Sequence, residues 1–214
     1  MGFDLDMTLI DPRPGMIAVM RVLGEQSGIE LDGEYFAAHL GPPLEQGLAA
    51  CGAPADRVDE LVTRYRALYP EIVVPQTIAL PGAEAALRLV REAGGRTVVV
   101  TGKYGPNAAL HVEALGFEVD VLAGELWATG KAQTLVDNNA VAYVGDHIGD
   151  VQGALAARAI PVGVVTGPCS RDELLEAGAA VVFDSLDEFP AWLEATSGEL
   201  RERVRSGPAP APAG

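Results

Sequence analysis

The chain has 214 residues, with 30 acidic against 15 basic side chains and a formal net charge of −15, which speaks against nucleic acid or an anionic membrane as its main partner. Hydrophobic residues make up 49% and charged ones 21%, the balance of a chain that buries a core. No apolar run reaches the roughly 18 residues of a spanning helix, and the start Met1-Gly2-Phe3-Asp4 has no signal-type pattern, so a cytoplasmic protein without membrane association is expected.

The run 2–6 reads as a short strand, and it carries Asp4 and Asp6 two residues apart, hence on one side of that strand. Residues 14–79 then show helical periodicity over 16–26, 35–40, 44–50 and 56–69, with only the ambiguous Ile72-Val73-Val74 suggesting a strand. Within this segment Arg21, Glu45, Arg64 and Arg66 are read as surface helix charge. From residue 80 onward the pattern changes. Apolar, β-branched runs at 96–101, 119–123, 141–145, 162–166 and 180–183 alternate with amphipathic stretches at 82–93, 106–115, 151–159 and 171–177. Such alternation implies an α/β fold with a parallel sheet and helices on both faces. The Pro/Ala-rich stretch 206–214 is expected to be a disordered tail.

The first strand should be central and buried, where an unpaired carboxylate costs several kcal/mol, so Asp4 and Asp6 require a cationic partner. Thr101 and Asp146 each follow a predicted strand, and so sit at the carboxyl edge of the sheet, where open α/β sheets bind ligands. Asp150 lies four residues beyond Asp146, in the first turn of the next helix. Four carboxylates at one edge repel one another unless a hard cation lies among them, and that number of oxygen donors suits Mg²⁺. Of the 15 cationic residues, 13 are Arg; the only lysines are Lys103, just after Thr101, and Lys131. An ammonium kept in two places by a chain that otherwise uses Arg points to a compact charge holding a phosphate. Two distant cysteines and three scattered histidines argue against a disulfide framework and a histidine metal site.

Taken together these motifs resemble those of the haloacid dehalogenase-like hydrolase superfamily. Phe3-Asp4-Leu5-Asp6-Met7-Thr8-Leu9 is similar to its first motif, Asp-x-Asp-x-Thr; Thr101-Gly102-Lys103 to its second; Lys131 to its third; and Gly145-Asp146-His147-Ile148-Gly149-Asp150 to its fourth. The helical segment matches the cap position of the phosphoglycolate phosphatase-like subgroup. The resemblance implies a Rossmann-like parallel-sheet core over 1–13 and 80–197, with a helical cap domain over 14–79 inserted after the first strand. It implies a Mg²⁺-dependent phosphatase acting on a small phosphorylated metabolite as a monomer or homodimer. Asp4 would be the nucleophile that forms an aspartyl-phosphate, and Asp6 the general acid and base. Asp4, the carbonyl of Asp6, Asp146 and Asp150 would hold the metal, Thr101, Gly102 and Lys131 the phosphate, while Thr8 would support the nucleophile loop. Alternatives are a sugar phosphomutase of the same superfamily and a non-catalytic phospho-acceptor or metal-binding regulatory protein. The phosphonatases and phosphomutases of the superfamily draw on a cap lysine, and residues 14–79 contain none. Two departures stand out: Met7 occupies a position where the subgroup usually has Gly, and Ala132 follows Lys131 where Pro is common. Only three residues precede Asp4, so a short, weakly anchored first strand is expected.

Overall fold

A computed structural model describes residues 1–206 of the chain; residues 207–214, where nearly all of the expected tail falls, lie outside the described residues. Strand β1 (Gly2–Phe3) has only two residues, yet it is held on both sides. Gly2 and Phe3 pair in parallel with Val98 and Val99 of β4 (Val98–Val100), and with Tyr143 and Val144 of β6 (Ala142–Gly145). Around it the order is β5-β4-β1-β6-β7-β8, all parallel, with β5 at Val121–Ala123, β7 at Ile160–Val164 and β8 at Val181–Phe183. The chain builds outward from β1 through β4 to β5, then returns to β6 on the other side of β1. The carboxyl ends of β1, β4 and β6 therefore meet at the topological switch point, where a crevice opens.

Side-chain alternation divides the sheet between two apolar layers. Val99, Ala142 and Val144 join Phe3 in one, and Val98, Val100 and Tyr143 project into the other. Helices α5 (Ala83–Glu92), α6 (Gly105–Ala114), α7 (Ala132–Asp137), α8 (Ile148–Ala156) and α9 (Arg171–Glu176) follow the strands as the alternating pattern predicts. Helix α10 (Phe189–Ser206) is the last of the described elements and extends well past residue 197; Phe189, Trp192, Leu193 and Leu200 anchor it on the β1 layer.

The second region is built of α1 (Arg13–Ser27), α2 (Gly33–Ala38), α3 (Leu44–Ala50) and α4 (Val58–Ile72). On α1 the buried residues Met16, Val19, Met20 and Leu23 recur at i, i+3, i+4 and i+7, and on α4 Leu61, Tyr65 and Tyr69 recur every fourth residue. Their shared apolar cluster is separate from the sheet layers, and Met7 is the residue of the β1 loop that enters it. The ambiguous Ile72-Val73-Val74 is not a strand: it finishes α4 and enters a 3-10 turn over Val74–Gln76, with Val73 fully buried against the same cluster. The strand in this stretch comes later. Ile78–Ala79 (β3) pairs antiparallel with Ile10–Asp11 (β2), a ribbon too short to show in periodicity. Among the described residues no helix is long and apolar enough to cross a membrane.

Candidate active site

Asp4 and Asp6 are not strand residues, as the sequence reading had them. The strand ends at Phe3, and the two acids lie on the loop beyond it, where only the backbone N–H of Asp4, donating to Val144 O at 2.8 Å, prolongs the ladder. Leaving the strand frees the two side chains from a common direction, and they find different cations. Lys131 Nζ donates to Asp4 Oδ1 at 2.8 Å, and Lys103 Nζ to Asp6 Oδ2 at 2.9 Å.

Lys131 stands in the 3-10 turn Ala128–Lys131 before α7 and is fully buried. Its three protons meet three acceptors: Asp4 Oδ1, Asp150 Oδ1 at 2.6 Å and Tyr143 OH at 2.9 Å. Burial alone would lower its pKa, but the carboxylates of Asp150 and Asp4 outweigh burial and hold it well above the usual lysine value. Asp150 also accepts the backbone N–H of His147 on Oδ2 at 3.1 Å, so it caps α8 and pairs with Lys131 at once. Asp146 follows β6 and receives Thr8 Oγ1 at 2.9 Å, which ties the β1 loop to the β6 loop and gives Thr8 a definite partner. Thr101 is buried at the end of β4, with its hydroxyl taking the N–H of Lys103 at 3.3 Å.

Asp4, Asp146 and Asp150 each bring one carboxylate oxygen within 4.8 Å of the others, all three residues being buried. Burial raises the carboxyl of Asp4 to about 6, and burial, reinforced by Asp150 and Asp4, pushes Asp146 well above its ordinary range. A hard cation among these oxygens would reverse that cost, so the donor set fits a divalent ion with oxygen ligands. Two glycines make the approach possible. A Cβ on Gly167 would fall 1.8 Å from Asp146 Oδ2, and one on Gly145 2.3 Å from the Asp150 carboxyl carbon. Gly167 carried no signal in the sequence. The carboxylate of Asp6 stands outside this trio.

A cavity of about 240 Å³ opens over Asp4, Asp6, Thr101, Gly102 and Lys103, and α2, the loop after it, the start of α3 and α4 close it with Phe36, Leu40, Leu44, Tyr65, Arg66 and Tyr69. Of the four charged residues assigned to the surface, Arg21 pairs with Glu25 and Arg64 with Glu60 as expected. Glu45 is exposed on α3 as that reading has it and also lines the cavity, whereas Arg66 departs from it, half-buried in the cavity wall. Arg66 lies 4.0 Å over the Tyr104 ring and reaches Glu125 at 3.3 Å. Met7 has φ 57°, the left-handed region that Gly adopts freely. The strain of about 1–2 kcal/mol is offset by burying its side chain in the helical cluster, where such a residue contributes about 1.5–3 kcal/mol.

A family model described as haloacid dehalogenase-like hydrolase matches residues 1–155. The phosphoglycolate phosphatase of Rhodospirillum rubrum is 32% identical over 216 residues, covering 89% of this chain and 89% of that protein. A haloacid dehalogenase-like family hydrolase from Streptococcus pneumoniae superposes with TM-score 0.79 at 21% identity, over 90% of this chain and 96% of its own. A hydrolase of the same family from Deinococcus radiodurans, solved with bound phosphate and sodium, superposes with TM-score 0.67 at 20% identity, over 93% and 95%.

Proposed function

The chain belongs to the haloacid dehalogenase-like hydrolases, and on that premise we propose that it is a Mg²⁺-dependent phosphatase that hydrolyses a small phosphomonoester through an aspartyl-phosphate on Asp4. The observation that carries this reading is the division of labour between Asp4 and Asp6. Both line one cavity at the carboxyl edge of the sheet, each tied through one oxygen to its own lysine, and Asp6 Oδ1 is buried without a hydrogen-bond partner among the described residues.

An oxygen of Asp4 attacks phosphorus while the bond from phosphorus to the ester oxygen breaks, and Asp6 delivers a proton to that departing oxygen. Burial raises the Asp6 carboxyl, which favours its holding a proton for this step. Asp6, now a carboxylate, takes a proton from water as the water oxygen attacks phosphorus; the acyl-phosphate bond breaks, phosphate leaves and Asp4 is restored. Thr101 and the backbone at Gly102, which line the cavity, hold the phosphoryl oxygens. Lys131, bonded to Asp4, Asp150 and Tyr143 in this structure, would exchange one of those partners for a phosphoryl oxygen, and Thr8 braces Asp146. Asp4, Asp146, Asp150 and the carbonyl of Asp6 would hold Mg²⁺, which when bound offsets repulsion between the carboxylate and the phosphate dianion. Residues 14–79 act as a cap domain over the core, and the name of the R. rubrum relative makes 2-phosphoglycolate the first ester to try.

Phosphate release from a panel of phosphomonoesters tests the reading, with EDTA expected to abolish turnover and Mg²⁺ to restore it. Undiminished turnover in EDTA would remove the metal from the scheme. Binding also has a readout apart from activity. Without metal, folded Asp4 keeps its proton between its ordinary value of 3.8 and about 6, where the unfolded chain has lost it. Stability of the metal-free protein therefore falls as pH rises through that window, with Asp146 acting in the same direction. Mg²⁺ should consequently raise the Tm more at about pH 7.5 than at about pH 5, by several degrees at saturation. Equal shifts at both pH values would mean that the ion binds elsewhere.

A further inference from the structure

Lys103 is one of only two lysines in the chain, and the reaction as described leaves it without a task. It sits in the loop between β4 and α6, with its side chain only 5% exposed. The ammonium has two partners, Asp6 Oδ2 at 2.9 Å and the hydroxyl of Tyr69. Tyr69 comes from α4, across the cavity, and its hydroxyl forms a further hydrogen bond with His111 Nε2 on α6 at 2.7 Å. The His111 imidazole is buried, which keeps it neutral. A neutral ring accepting at Nε2 lets the phenol donate toward His111 and keep its lone pairs for Lys103. The chain Asp6, Lys103, Tyr69, His111 therefore leaves the core, enters the helical region and returns.

A buried ion pair is weak grounds for stability, since desolvating both charges offsets most of their attraction. What it supplies here is direction. With Oδ2 fixed by Lys103, Oδ1 is the carboxylate oxygen of Asp6 left without a partner among the described residues. We propose that Lys103 is the positioning residue for Asp6, holding its carboxyl group so that Oδ1 meets the departing ester oxygen, and that Tyr69 sets Lys103 in turn. This rests on the reading of Asp6 as general acid. It also makes the acid's placement depend on α4, because Tyr69 reaches Lys103 only while that helix lies over the cavity.

The test compares leaving groups through kcat/KM, which reports every step up to departure of the alcohol. An alkyl phosphate needs a proton on its leaving oxygen, whereas 4-nitrophenolate leaves without one. A misplaced acid therefore harms the two substrates unequally, and a general structural defect harms them alike. Lys103→Met should lower kcat/KM for the alkyl ester about 100-fold and for 4-nitrophenyl phosphate less than about 10-fold. Tyr69→Phe, which keeps the ring and its packing, should show the same inequality at about 5-fold for the alkyl ester, and it carries the test if Lys103→Met does not fold. Equal losses on both substrates, or none, would overturn the proposal. Asp6→Asn is the control: if it discriminates between the esters while the Lys103 and Tyr69 variants do not, the acid stands and its positioning by Lys103 falls. If Asp6→Asn does not discriminate either, the acid assignment fails and the proposal fails with it.

Discussion

Asp4→Asn is expected to eliminate phosphatase turnover, by at least about 10³-fold, while leaving the metal-free protein as stable as the parent or more so. The two outcomes have one cause. Asp4 is buried beside Asp146 and Asp150, and burial already raises its carboxyl to about 6. Above that pH the native protein holds an anion where a neutral group is favoured, and an amide of the same shape removes the penalty. Its carbonyl oxygen can still accept from Lys131, whose second carboxylate partner, Asp150, is untouched. The gain should be on the order of 1 kcal/mol, read as a rise of a few degrees in Tm at neutral pH without Mg²⁺. Loss of activity together with a large fall in Tm would mean that Asp4 is a structural ion-pair partner. Retained activity would place the nucleophile elsewhere.

Replacing Lys131 should damage both activity and folding, in contrast to Asp4. Lys131→Met leaves the buried carboxylates of Asp4 and Asp150 without their cation, and removing one partner of such a network costs about 3–5 kcal/mol. Lys131→Arg keeps the charge but not the shape. The ammonium directs three protons at Asp4, Asp150 and Tyr143 from a site with no solvent exposure, and a planar guanidinium cannot reproduce that tripod. Overpacking there costs about 1–3 kcal/mol, and we expect kcat to drop at least about 100-fold. Calorimetry and steady-state kinetics on both variants check this; near-parental kcat in Lys131→Arg would show that a point charge is not what the site needs.

The sheet was legible in the sequence because its signals are local: continuous β-branched runs, amphipathic stretches between them, and acids at the strand ends. Where a signal needed more than a few residues of context, reading failed. A two-residue ribbon such as β2 with β3 has no period to detect, and the Ile72-Val73-Val74 triplet looks equally apolar at a helix end and in a strand. The loop placement of Asp4 and Asp6 escaped because alternation does not reveal where a strand stops. The acids and the two lysines, which announce themselves by type, were legible as candidates, and the structure brings them together at one edge of the sheet. Their partners were not: Asp4 and Lys131 are 127 positions apart, and Tyr69 and His111 42 apart. Only chain topology brings such residues together. Arg66 looked like any helix-surface arginine until α4 was set over the cavity, although the scarcity of lysine had already singled out Lys103.

The pairing of Ile10 with Ala79 has a consequence for how such a chain can change over time. Everything between them departs from one strand of this separate ribbon and comes back on the other, one strand spacing away, about 5 Å. No strand of the parallel sheet is interrupted by it, and the carboxyl edge that holds Asp4, Asp146 and Asp150 is fixed by pairings outside it. Insertions, deletions or wholesale exchange of those helices need not move these three carboxylates; Asp6, tied through Lys103 to Tyr69 of α4, is the group that such a change reaches. Selection for a new ester can therefore act on one stretch of sequence while the carboxylate trio is inherited unaltered, so long as the contact of Tyr69 with Lys103 is kept.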